Sequence, residues 1–423
     1  MMRNERIHEF QERYEFVCKE GDCCACNACV DICPSKCIHF ETDIYGYSYA
    51  VINKEKCVNC GLCKKTCSQL IDNDYIYPKF CYAAWSTDSD IRVRSASGGI
   101  ATEIYRAVIE EDGAICGVKM EQQFRAIFSI EENFESVRNF QNSKYVFSDT
   151  CEIYKEIAEK LKTKNQKIVF IGLPCQVAGL LRYIETLRIS NVNLITVDIV
   201  CHGVTPTKFL QEHINRISQS KKINVTEVCF RDPEERTDTF TFSLKNERNT
   251  FYKKKVNRND YYQIGYHRGI TYRNNCYNCK FARAERVGDI TISDFPSVGR
   301  CVPTEYNSEN VSCVLVNTEK GQILLNSMQH NGKIFVDRRP LEEALNFSKQ
   351  LQHPTQVPVE RNKFLEELKK SNDFDIAMKK AVKKIVIRNE INHALKLEKI
   401  ISAISEMIPK NIKTRIKKIM ARY

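Results

Sequence analysis

Two cysteine runs dominate the chemistry open to this chain. Cys23, Cys26, Cys29 and Cys33 follow C-x2-C-x2-C-x3-C, with Pro34 next. Cys57, Cys60, Cys63 and Cys67 repeat the spacing, with Ser68 next. This spacing suits two 4Fe–4S clusters: three evenly spaced cysteines wrap three corners of a cubane, and the fourth reaches the other cluster. The expected ligand sets are therefore crossed. Cys23, Cys26, Cys29 and Cys67 would hold one cluster, and Cys57, Cys60, Cys63 and Cys33 the second. Zinc knuckles are the competing chemistry, but they use two ligand pairs and not two runs of four. Cys18, Cys24 and Cys37 lie outside the spacing and read as bystanders.

Four more cysteines sit in distinctive contexts. Cys175 lies in Gly172-Leu173-Pro174-Cys175-Gln176, Cys201 in Cys201-His202-Gly203, and Cys276 and Cys279 form a CxxC. Two strand-end cysteines plus one CxxC supply four ligands, enough for a third cluster. The alternative is two small core cysteines and a separate zinc or redox pair.

The elements that position these residues follow from apolar patterning. Lys167–Gly172 is a buried-strand run, Val177–Leu187 a helix, and Asn193–Val200 a second buried strand, together a parallel βαβ unit. Cys175 and Cys201 then fall where α/β folds place cofactors, at the carboxyl ends of strands. Ala114–Val118 reads as a strand and Cys151–Lys162 as a helix. Ile91–Glu111 reads as a loop and helix opened by Ser95-Ala96-Ser97-Gly98-Gly99, and residues 1–22 as a polar helix or arm. Glycines at a loop-to-helix junction suit a pyrophosphate, whose charge the helix N-terminus favours. Read alone, that loop is a turn or cap.

The order of motifs resembles the beta-subunit family of coenzyme F420 hydrogenases and dehydrogenases, in its bacterial form with an N-terminal dicluster ferredoxin domain. The dicluster run is followed by Ser97-Gly98-Gly99, Ser143-Lys144-Tyr145, Gly-Leu-Pro-Cys175-Gln, Cys201-His202-Gly203, Phe230-Arg231-Asp232, the CxxC, and Gly288-Asp289-Ile290-Thr291-Ile292-Ser293-Asp294-Phe295. Ser293 and Pro296 stand where the family pattern has Gly and Trp. The resemblance spans roughly Cys23 to Gln329. It implies an FAD-dependent iron–sulfur oxidoreductase acting on a deazaflavin or another two-electron substrate. Ser97, Gly98, Gly99, Ser143 and Lys144 would bind FAD, and Cys175, Cys201, Cys276 and Cys279 would hold the third cluster. Lys144 and Tyr145 would be catalytic. His202 is a candidate proton donor, although a loop residue orienting the Cys201 turn is the plainer reading.

The implied fold is α+β with α/β character. A dicluster ferredoxin domain (23–72) follows the arm. Next come an N-terminal-like (73–165) and a C-terminal-like FAD/Fe–S part (166–340) of the beta subunit. A helical basic tail (341–423) closes the chain. Two non-enzymatic or narrower alternatives stand beside this reading. One is an electron-transfer module without a substrate of its own, serving a partner enzyme. The other is a reductase in cell-surface polysaccharide synthesis.

Composition bounds the rest. The chain has 423 residues, 21 cysteines and a net charge of +11. An odd cysteine count forbids complete disulfide pairing, and the charged opening segment lacks an apolar leader, so a reducing cytoplasm is expected. Almost all the excess positive charge lies in 378–423, with 13 Lys or Arg against three Glu. The body is nearly neutral, which argues against a nucleic-acid-binding face. Ile412, Ile416, Ile419 and Met420 would line one face of a basic helix. That helix suits docking on the body or peripheral contact with the inner membrane face. A redox partner protein and a small-molecule substrate are the expected partners.

Overall fold

The computed structural model describes residues 13–163, 166–235, 239–256 and 258–395. The basic helix expected around Ile412–Met420 lies outside the described residues. Strands are numbered in chain order.

The cysteine-rich segment folds around a small antiparallel sheet of β1 (Tyr14–Phe16), β2 (Ile38–Thr42) and β3 (Ser48–Asn53), in the order β1-β3-β2. Tyr14–Phe16, expected in a helix or arm, is therefore a strand, paired with Val51–Asn53. Two short helices, Ala28–Asp31 and Leu62–Thr66, follow the first cysteines of each run.

The body is built on one nine-stranded sheet. Its strands are β4 (Phe80–Ser86), β5 (Ala114–Met120), β6 (Ala126–Glu131), β7 (Ser148–Asp149), β8 (Ile168–Gly172) and β9 (Leu194–Ile199), all from the first half of the chain. A separate antiparallel sheet comprises β10 (Glu227–Cys229), β11 (Phe242–Lys245) and β12 (Thr250–Lys254). The large sheet is completed by β13 (Ile290–Asp294), β14 (Ser312–Val316) and β15 (Ile334–Arg339). Its order is β15-β4-β14-β13-β9-β8-β5-β6-β7. β5, β8, β9 and β13 form a parallel centre. β14, β4 and β15 extend it antiparallel on one side.

The centre is apolar on both faces, as buried parallel strands must be. Side chains alternate along β8: Ile168 and Phe170 face the helices Ile153–Thr163 and Pro174–Thr186, while Val169 and Ile171 face Ile100–Ile109 and Glu319–His330. The expected βαβ unit is present, with Ile168 opposite Leu194 and the helix Pro174–Thr186 between. That helix starts sharply because Pro174 occupies its first turn and the Gln176 side chain accepts the Leu173 amide at 3.0 Å. A third core gathers Phe209, Phe242, Tyr262, Phe364 and Phe374 between the second sheet and the C-terminal helices. Among the described residues, no helix is long and apolar enough to cross a membrane.

Topology sets a common edge for the motifs. β8, β9 and β13 end on the same side. β14, antiparallel to β13, begins there, and β4, antiparallel to β14, ends there. Cys175, Cys201, Asp294, Ser312 and Ala84 therefore share one rim of the sheet.

Candidate functional site

The N-terminal segment brings its cysteines together across the two runs. Cys33, Cys57, Cys60 and Cys63 line one small cleft, together with Cys37. Cys37 lies 3.4 Å from Cys33, sulfur to sulfur. Cys23 and Cys67 each hydrogen-bond Cys18, and Cys29 lies beside Cys23 and Cys67. The Cys18 bond draws the Cys23 thiol down to about 7 against the cost of burial. Cys26 turns elsewhere: it bonds Cys24, which in turn bonds Cys175 of the body. Each cysteine read as a bystander thus borders one thiol group: Cys18 and Cys37 the two N-terminal groups, Cys24 the body's.

The body supplies the third group. Cys175 lies near Cys24, Cys279 and Cys201, and Cys201 lies near Cys276 and Cys279. Burial pushes Cys201, Cys279 and Cys276 up, the last to about 12, and the bond to Cys24, with burial behind it, raises Cys175. Ionising them therefore requires a positive partner. Among the described residues no three His, Cys, Asp or Glu side chains are set to hold a single metal ion.

A buried ion pair fixes the turn after the CxxC. Arg286 is fully buried and contacts Asp198 of β9 at 2.7 Å, while donating to the carbonyls of Phe281 and Arg283. Asp198 also accepts the Gly288 amide at 2.9 Å. Asp289 accepts the amide and hydroxyl of Thr196. The Gly288-Asp289 motif is thus a clamp joining β13 to β9. Gly203 follows the same logic: with φ +141 and the Tyr272 ring against it, no side chain fits.

Near Cys201, across Tyr266, polar and aromatic side chains gather around Arg231. Arg231 makes a bidentate pair with Asp294 at the end of β13, donates to the Ala96 carbonyl, and donates to the Tyr145 hydroxyl at 2.6 Å. The Tyr145 ring stacks on Tyr266 with centroids 4.7 Å apart, and Phe240 lies under the Arg231 guanidinium at 4.1 Å. Burial raises the Tyr145 pKa, so the phenol keeps its proton. His202 is exposed, yet the protein around it lowers its pKa, first by desolvation. At pH 7 it is a neutral ring.

The other residues singled out by sequence have internal partners. The Ser97 hydroxyl donates to Val311 at 2.9 Å, and the Gly98 amide donates to the Ser312 hydroxyl at 2.9 Å. A Cβ at Gly98 would stand 2.4 Å from the Ala84 carbonyl, so glycine lets the loop lie on the sheet rim. Gly99, at φ +86, precedes the helix Ile100–Ile109. The Ser143 amide bonds Asn142. The Lys144 ammonium caps the carbonyls of Asn139, Gln141 and Asn142, and burial draws its pKa down to about 7. Sequence reading singled out neither Arg231 nor Asp294 as site residues, although both lie in the motifs quoted.

The body matches two family models. Residues 81–155 match the N-terminal and 165–340 the C-terminal part of the coenzyme F420 hydrogenase/dehydrogenase beta subunit. The chain belongs to the coenzyme F420 hydrogenase/dehydrogenase beta-subunit family. A curated relative is the coenzyme F420-dependent sulfite reductase of Methanocaldococcus jannaschii, 26% identical over 166 residues. The match covers 38% of this chain and 25% of that protein, so the chain spans about a quarter of the relative's length. The F420-reducing [NiFe] hydrogenase complex from Methanosarcina barkeri is similar to 76% of this chain and 94% of its own chain, with 17% identity and a TM-score of 0.42.

Proposed function

We propose that this chain is an iron–sulfur flavoprotein oxidoreductase, passing electrons between its N-terminal 4Fe–4S clusters and FAD and acting on a two-electron organic substrate. The observation that carries the reading is a convergence. Cys175, Cys201, Cys276 and Cys279 gather at one rim of the sheet, touched by Cys24 of the N-terminal segment, and Tyr266 links them to the Arg231 site. In this reading Cys23, Cys29 and Cys67, with Cys26 swung from its bond to Cys24, hold one cluster. Cys33, Cys57, Cys60 and Cys63 hold a second, and the body's four cysteines a third. When bound, the clusters supply one-electron steps and FAD joins them to two-electron chemistry.

The chain's own residues do the rest. The Ser95–Gly99 loop, whose Ala96 carbonyl accepts from Arg231, leads into the helix Ile100–Ile109, and a helix start of this kind suits a pyrophosphate. Arg231 offers a fixed positive charge that Asp294 orients, and Tyr145 offers a proton. Lys144 acts by tying Asn139–Asn142 into a turn whose Asn142 amide donates to the Arg231 carbonyl at 2.7 Å. Cys60 is exposed, so a redox partner protein reaches the second thiol group most directly at the Cys57–Cys60 loop. The names of the relatives suggest a deazaflavin as the substrate class.

Anaerobic purification followed by flavin extraction tests the proposal. It expects about one FAD per chain together with iron and acid-labile sulfide. Iron without flavin would reduce the chain to an electron-transfer module, and zinc in place of iron would refute both readings.

A further inference from the structure

Arg273 immediately precedes the CxxC segment, and its carbonyl accepts the Cys276 amide at 3.1 Å. It is 3% exposed, among the most buried charged residues of the molecule. Its guanidinium leaves the body and enters the N-terminal segment, donating to the carbonyl of Cys23 at 3.0 Å and to that of Ser48. The rings of Tyr49 and Phe147 flank it, each centroid 5.5 Å away.

Among the described residues no carboxylate pairs with it. Three other buried arginines have one: Arg286 has Asp198, Arg231 has Asp294, and Arg339 has Glu343. Arg361, also without an ion pair, is instead satisfied by the Ile270 carbonyl, the Asn274 side chain and the hydroxyls of Tyr47 and Tyr277. The carboxylate that feels Arg273, Asp43, is spent on the amides of Tyr45 and Tyr47. The Nε–H of Arg273 is buried without an acceptor. A buried charge costs several kcal/mol unless compensated, and a buried orphan donor adds to the cost. Beyond these carbonyls and rings, the groups that feel its charge include thiols. Its field reaches Cys23 and Cys24 on one side and Cys276 on the other.

We infer that Arg273 is the shared counter-cation of two clusters, one on the Cys23 group and one on the Cys276 group, and that it raises the reduction potential of both. A cluster held by four thiolates is anionic and becomes more so on reduction, so a fixed cation between two such groups favours the reduced state of each. One guanidinium bridging segment and body also ties the two groups' potentials together, which suits them to exchange electrons. Arg273 is a positioning residue here, acting through the clusters and not on substrate.

The inference rests on the cluster reading above, and the test separates the two. The full chain is reconstituted anaerobically as wild type, Arg273→Gln and Arg273→Lys, and titrated redox-potentiometrically with EPR detection. Signals are assigned with Cys276→Ser and Cys60→Ser chains. Arg273→Gln should weaken reduction of the Cys23 and Cys276 clusters at least tenfold, about 59 mV for a one-electron couple. Arg273→Lys should restore most of the loss, and the cluster at Cys33, Cys57, Cys60 and Cys63 should not move. An iron-loaded Arg273→Gln chain with unchanged potentials overturns the inference, as does an equal shift of all three clusters. Should the Gln chain fail to load iron, the Lys chain decides. Loading with near wild-type potentials supports a charge role, whereas failure to load makes Arg273 a structural strut and overturns it. Failure of the wild type itself to take up iron defeats the cluster reading instead.

Discussion

Arg231 concentrates the site's chemistry in one side chain. It contacts Asp294, Tyr145 and Ala96, residues from three separate motifs. Replacing Asp294 with Asn leaves a buried guanidinium without its countercharge and free to turn from the site. A hydrogen bond to a charged group contributes about 1.5–3 kcal/mol, so Asp294→Asn should cut FAD retention by about tenfold or more. Flavin per chain after gel filtration measures this, and wild-type retention would place the flavin elsewhere. Lys144 is tested differently, because its ammonium serves three carbonyls. Lys144→Met should loosen the Asn139–Asn142 turn and raise the Kd for FAD, while leaving cluster content unchanged. An unchanged Kd would make the cap irrelevant to the site. The two cysteine runs were legible as runs because their spacing is local. The Arg231–Asp294 pair was not, since its members are 63 residues apart and meet only through the sheet. Ser97 and Gly98 stood out for their types, yet their hydroxyl and amide are engaged by strand ends that no local pattern reveals.

At the scale of elements, two buried charge clusters hold helices and strands in place. His213 on the helix Thr207–Lys221 lies 2.7 Å from Asp375 and 3.0 Å from Asp260, which begin two other helices. Burial opposes protonation of His213, but the two carboxylates outweigh it and raise its pKa to about 10. The folded pKa exceeds the unfolded value, about 6.5. The stabilisation is therefore complete below about pH 6.5 and fades as pH rises toward 10, and it is on the order of a few kcal/mol. Denaturant midpoints from pH 6 to 10 should fall for the wild type. They should stay flatter for His213→Leu, which is also less stable at pH 6, since it strands two carboxylates. A pH-independent wild-type midpoint would contradict the assignment. Arg286→Met should cost about 3–5 kcal/mol, because it leaves Asp198 buried and unpaired. Asp198 precedes Cys201 by three residues, so the same variant should lose iron preferentially from the body's group. Full iron content in the Arg286→Met chain would sever that link. The βαβ unit was legible from the run Lys167–Gly172, which is buried from Ile168 onward. The antiparallel addition of β14, β4 and β15 was not, because strands joined across more than 200 residues carry no local mark of their partner. β1 escaped notice for a related reason: three residues in a charged segment show no period.

Across the whole molecule, the N-terminal segment is fastened to the body by scattered polar ties. Thr150 donates to Cys26, the Tyr47 hydroxyl donates to Thr271, Thr66 bonds Thr186, and Arg273 crosses between the two. These contacts bring Cys24 against Cys175, so three thiol groups run in series from the exposed Cys60 loop to the Arg231 site. The even charge of the body fits a protein whose work is inside, and the basic residues belong to the tail. The central claim is that the body carries its own cluster, and counting iron tests it most directly. Anaerobically reconstituted wild type should hold about twelve iron atoms and twelve sulfides per chain, and a Cys276→Ser/Cys279→Ser chain about eight of each. About eight in both chains would contradict the account, because the four converging cysteines would then hold no cluster.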